Sequence, residues 1–118
     1  MMKRLAVLFL IVGMAFADGA SEPFPWTDRS GSITLGGTAQ TIAPVNTRRT
    51  YILVQNISDT AMWLNLGATA TAGAGSLLLT ANGGSYAAEG SAIPSGAVSI
   101  LCATTGKEFT AKEMNRAH

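Results

Sequence analysis

Histidine is almost missing from this chain, and so is cysteine. The one histidine is His118, the last residue, and the one cysteine is Cys102. A Ser-His-Asp or Cys-His arrangement would therefore have to use a chain terminus. A disulfide framework and a cysteine-rich metal site are excluded. Charge is scarce as well. Only 13% of residues are charged, against roughly 25% in soluble domains generally. The net charge is +1, with no basic stretch and no acidic tail, so nucleic acid is not an expected partner. Beyond Ala17 no segment carries a 3.6-residue apolar period, so helices are not expected. "GAGS" lacks the lysine and the following helix of a phosphate-cradling loop. The carboxylates after Ala17 are Asp18, Glu22, Asp28, Asp59, Glu89, Glu108 and Glu113. Nothing in their spacing points to a general acid/base pair. No catalytic residue, cofactor or metal ligand can be named, and the chain reads as non-enzymatic.

What is present is apolar and small. Hydrophobic residues make up 47% of the sequence and glycine numbers 13. Small and β-branched residues at low charge suit turns and packed sheets. The length of 118 residues allows one domain. Residues 1–17 differ from the rest: "MMKR" is a positive head, "LAVLFLIVGMAFA" is an apolar run, and Ala15-Phe16-Ala17 is a small-x-small site. That is the layout of a secretory signal peptide. The alternatives are an uncleaved hydrophobic arm, which would bring membrane contact, and a start codon placed too far upstream. Residues 18–31 read as an extended arm, because Pro23 and Pro25 fix φ and remove donors. Residues 32–118 form the expected β domain.

In that domain "SITL", "TAQTIA", "TYILVQN", "AMWLNL", "SLLL", "AVSILC" and "KEFTAKE" read as short strands divided by turn signals. Their roughly ten-residue spacing predicts an all-β fold, an antiparallel sandwich or small barrel of about seven to eight strands. The expected core is Ile33, Leu35, Ile52, Val54, Leu64, Leu66, Leu77, Leu79, Val98, Ile100 and Phe109, with Cys102 buried as a small hydrophobe. "TYILVQN" is apolar at nearly every position, as in a strand covered on both faces. Asn82-Gly83 signals a hairpin. "SYAAEGSAIPSG" reads as irregular.

Four residues are candidates for partner binding. Phe24 and Trp26 are aromatic side chains in the arm, where they pack on this domain's own edge or anchor in a neighbour. Arg48 and Arg49 stand at a strand entrance, either solvated or gripping a neighbour's carboxylate or carbonyl. Trp63 alternates with core positions and is packing, or else a surface for stacking a sugar.

Three stretches carry a resemblance: "RRTYILVQNISDTAMWLNLG", "GSLLLTANGGSY" and "AIPSGAVSILCATTGKEFTAKE". The pattern resembles small β-sandwich structural proteins of tailed bacteriophages, such as capsid decoration (cement) proteins and minor head or tail components. It covers about Arg48 to Glu113 and is a pattern of alternation and turns. The signal-like N-terminus departs from it. The resemblance implies a virion structural protein, present in multiple copies or as a homo-oligomer, that binds capsid or other virion subunits. No catalytic residue is implied. The alternative is a secreted or periplasmic binding module, an adhesin or carbohydrate-binding domain, which rests on the N-terminal layout and on Trp63.

Overall fold

The computed structural model describes residues 26–116. The signal-like segment 1–17 and Phe24 lie outside the described residues. The described residues form nine strands, in order β1 Trp26–Asp28, β2 Gly31–Ser32, β3 Gln40–Ala43, β4 Arg49–Asn56, β5 Met62–Leu66, β6 Leu77–Leu79, β7 Ser85–Glu89, β8 Val98–Cys102 and β9 Glu108–Asn115. They form two antiparallel sheets packed together. The first runs β1-β9-β4-β7, with β2 also paired to β9. The second runs β3-β8-β5-β6. The fold is thus the sandwich that the strand spacing predicts.

Alternation builds the core. Ile52 and Val54 of β4 join Phe109 and Ala111 of β9 on the first sheet. Met62 and Leu64 of β5 join Val98, Ile100 and Cys102 of β8 on the second. Fully burying one such aliphatic side chain contributes about 1.5–3 kcal/mol relative to leaving it in water. Two expected core residues do not reach this layer. Leu35 is 59% exposed, because the chain bends after Ile33 and does not continue as a strand. Leu77 is 41% exposed at the start of β6, an edge strand, where little of the facing sheet covers it. Leu66 is partly buried against the core.

Three further expectations change. The strand β4 is buried on one face only. Ile52, Val54 and Asn56 point inward, while Tyr51, Leu53 and Gln55 are half-buried on the outer face. The stretch "SYAAE", read as irregular, is β7; its alanines weaken the apolar signal, yet it pairs with β4 along its length. Asn82 and Gly83 do take positive φ, 62° and 119°. However, they join β6 of one sheet to β7 of the other, so the turn is a corner of the sandwich and not a hairpin. The turn after β4 also switches sheets. Its anchor is Asn56, whose buried amide donates to Thr60 O and Leu79 O and accepts from Ser58.

The arm is corrected too. Residues 26–28 and 31–32 belong to the sheet as an edge on β9. Neither segment contains proline, so each residue in them keeps the N–H that a ladder needs.

Candidate interaction surface

Arg49 is not a surface residue. It stands at the first position of β4, where the ladder with β9 carries a bulge between Met114 and Asn115. Its Nε donates to Glu113 Oε2 at 2.7 Å, and both side chains are fully out of solvent. Three of its other four N–H donors go to the carbonyls of Pro44, Pro94 and Gly96 at 2.7–3.0 Å. A guanidinium satisfied in this way has no fork left for a neighbour, so the expectation of partner contact at Arg49 is corrected. Arg48 is exposed, and its Nη donates to Arg116 O at 2.8 Å, which ties the entrance of β4 to the end of β9.

Glu113 is the centre of this cluster. Arg29 donates to its other oxygen at 2.8 Å, and Asn46 donates at 3.3 Å. Burial pushes the carboxyl pKa up, but the bonds from Arg49, Arg29 and Asn46 outweigh it and hold the group below its ordinary value of 4.5. The cluster fastens four separate segments: the end of the arm, the 44–49 entrance, the 94–96 loop and the last strand. Its chemistry is that of a clamp. Every charge has a partner and none faces open solvent except part of Arg29.

The outer face of the first sheet is different. In register across it stand Trp26 of β1, Met114 of β9, Tyr51 of β4 and Glu89 of β7. The next row is Asp28, Lys112, Leu53 and Ala87. Trp26 is 52% exposed. Its ring meets Tyr51 edge to face, with centroids 5.7 Å apart and planes at 87°. The surface is an aromatic and thioether patch rimmed by Asp28, Lys112 and Glu89. Lys112 lies 4.0 Å from Asp28, a loose surface pair worth little on its own.

The outer face of the second sheet carries Leu78, Trp63 and Leu101 in one row. Beside that row the loop after β5 folds back, with Ala70 N donating to Ser99 Oγ at 3.0 Å and Asn65 donating to Gly75 O. Trp63 thus floors a shallow cleft walled by Ala61, Ala72, Leu101 and Ala103. Trp63 faces outward in this arrangement and is half-buried.

Among the described residues no group of His, Cys, Asp and Glu is arranged to hold a metal ion. Cys102 is buried and unpaired in the core. Sequence reasoning picked out Trp26 but missed Tyr51, Met114 and Glu113 beside it or behind it. One signal was legible: Glu113 is in phase with Phe109 and Ala111, so an inward carboxylate needed an inward cation. No family model matches the chain, and no curated protein or solved structure matches it either.

Proposed function

We propose that this protein is a non-enzymatic structural component of a bacteriophage virion, a capsid decoration protein that holds neighbouring subunits by repeated contacts. The observation that carries the reading is the face around Trp26. A half-exposed tryptophan braced by Tyr51, beside Met114 and within a charged rim, has the anatomy of a protein-binding surface: an aromatic anchor with polar surroundings. The internal clamp on Glu113 supports the same reading, since it rigidifies the domain without presenting a reactive group. Many copies of a modest contact give high avidity without any single strong one. The resemblance carried by Arg48 to Glu113 supports a phage particle as the partner.

The test is reconstitution. Purified full chain is mixed with phage particles lacking it, and retention is measured by sedimentation. Co-sedimentation at a fixed copy number per capsid is expected. A protein that ignores the particle, and whose mature form in cells starts at Asp18, would favour the exported binding module instead.

A further inference from the structure

Among the described residues, charge lies almost wholly on the first-sheet side of the sandwich. The strands of the second sheet, "QTIA", "MWLNL", "LLL" and "VSILC", contain no charged residue. From Thr60 to Gly106 the only charged residue is Glu89, and it belongs to β7 in the first sheet. Near the second sheet the described charges are Asp59 and Lys107, and these bond each other at 2.7 Å. The first sheet and its flanks hold the others, including Asp28, Glu89, Glu108 and Lys112.

The outer face of the second sheet is therefore uncharged, and it is apolar at its centre. Leu78 is 51% exposed in line with Trp63 and Leu101. Alanines 61, 72 and 103 are exposed around it. Its edge strand β6 has neither lysine nor proline to discourage pairing, the usual protections of an open edge. A contiguous apolar surface ringed by polar residues is the kind that marks contact sites.

We propose that this face, centred on Trp63, is where two copies of the chain meet, each burying its Leu78–Trp63–Leu101 row against the other. The choice of occupant follows from charge matching. A chargeless surface pairs without stranded ions only with another chargeless surface. The described part of this chain offers one such face, so a twofold contact of that face with itself is the match it supplies. The charged Trp26 face cannot serve as the second half, because Asp28, Lys112 and Glu89 would lose water against leucine and alanine. The inference does not depend on the virion reading. It leaves the Trp26 face of each copy free for another partner.

The test uses the full chain. Sedimentation velocity across a hundredfold concentration range, roughly from sub-micromolar upward, spans the affinities expected of such a patch. In a Trp26→Phe background Trp63 is the only tryptophan. The expected results are a monomer–dimer equilibrium and a blue shift of Trp63 emission as the dimer forms. Leu78→Lys should weaken association about tenfold or more, as placing a charge in an apolar contact does. Its melting temperature should match the parent's when both are measured at concentrations where the parent is monomeric, since Leu78 is half exposed. A monomer at every concentration would overturn the proposal, and so would association that survives Leu78→Lys. The second outcome would assign self-association to another segment, such as the apolar N-terminal run. A monomer whose Trp63 emission shifts only on adding phage particles would overturn it too, in favour of a capsid contact.

Discussion

Arg49 and Glu113 face each other at 2.7 Å across the β4–β9 ladder, and no solvent reaches either side chain. A buried pair of this kind is not in itself a large source of stability, because desolvating both ions costs several kcal/mol. Breaking it is another matter. Arg49→Met leaves Glu113 with Arg29 and Asn46 alone and also strands the carbonyls of Pro44, Pro94 and Gly96. The expected loss is about 3–5 kcal/mol. The double variant Arg49→Met with Glu113→Leu should lose less than the sum of the two single changes. Urea unfolding of the four proteins gives that coupling directly, and additive losses would show that the two residues act separately.

The same pair sets an acid limit. The folded carboxyl of Glu113 titrates below its ordinary value of 4.5. A depressed carboxylate contributes stability that is present in full above the unfolded value and lost as pH falls through the folded one. Stability should therefore be level near neutral pH and decline below about pH 4.5. Glu113→Gln removes that proton uptake. Its melting temperature should start lower at neutral pH and change less between about pH 5 and pH 3 than that of the parent. Parallel curves for the two proteins would mean that other carboxylates, such as Asp28 and Asp59, govern acid unfolding.

The corner between β6 and β7 makes a prediction that φ alone does not. Gly84 has no positive φ, yet a Cβ there would lie 2.3 Å from Thr80 N and 2.6 Å from Thr80 O. Both are backbone atoms and cannot swing aside. Gly84→Ala should cost at least about 1–3 kcal/mol, the range of an overpacked site. Thermal melting of the variant checks this, and an unchanged midpoint would mean that the corner is looser than it looks.

Core placement can be read from a matched pair of leucines. Leu64 is fully buried, whereas Leu35 is 59% exposed. Leu64→Ala should cost about 2–5 kcal/mol. Leu35→Ala should stay within about 0.5 kcal/mol of the parent, as exposed positions do. Equal losses at both sites in urea unfolding would contradict the bend after Ile33.

Much of this architecture was legible because alternation is a local signal. Val98, Ile100 and Cys102 could be placed inward from "AVSILC" alone, and so could Met62 and Leu64 from "MWLNL". The pairing of strands was not legible. Asn82-Gly83 has the turn residues of a hairpin, but whether the strands it joins pair or diverge depends on contacts far away in sequence, such as Asn56 with Leu79. Arg49 was misplaced for a similar reason. A bulge at Met114/Asn115 shifts the register just there, and its counter-ion lies 64 residues on. The described part of the arm was not legible as strand for the same reason: its segments are two and three residues long, and the strand they pair with, β9, lies far along the chain.

The Trp26 face provides the final prediction, because it separates folding from attachment. Trp26 sits on a three-residue strand that, among the described residues, pairs only with β9. Half of its surface is already in water. Its edge-to-face contact with Tyr51 is worth about 0.5–1.5 kcal/mol beyond area burial. Trp26→Ala should therefore lower the melting temperature by clearly less than Leu64→Ala does. If this face anchors the protein to a particle, the same change removes the largest apolar side chain of the patch, and retention should fall by about tenfold or more, the usual consequence of losing an aromatic anchor. The defect should be nearly independent of salt, since the lost contact is uncharged, whereas Lys112→Ala should give a smaller defect that fades as salt screens the rim. Sedimentation of each variant with particles at low and high ionic strength reads both effects. Full retention of Trp26→Ala would move the contact off this face, and a melting drop as large as that of Leu64→Ala would show that Trp26 serves the fold and not a partner.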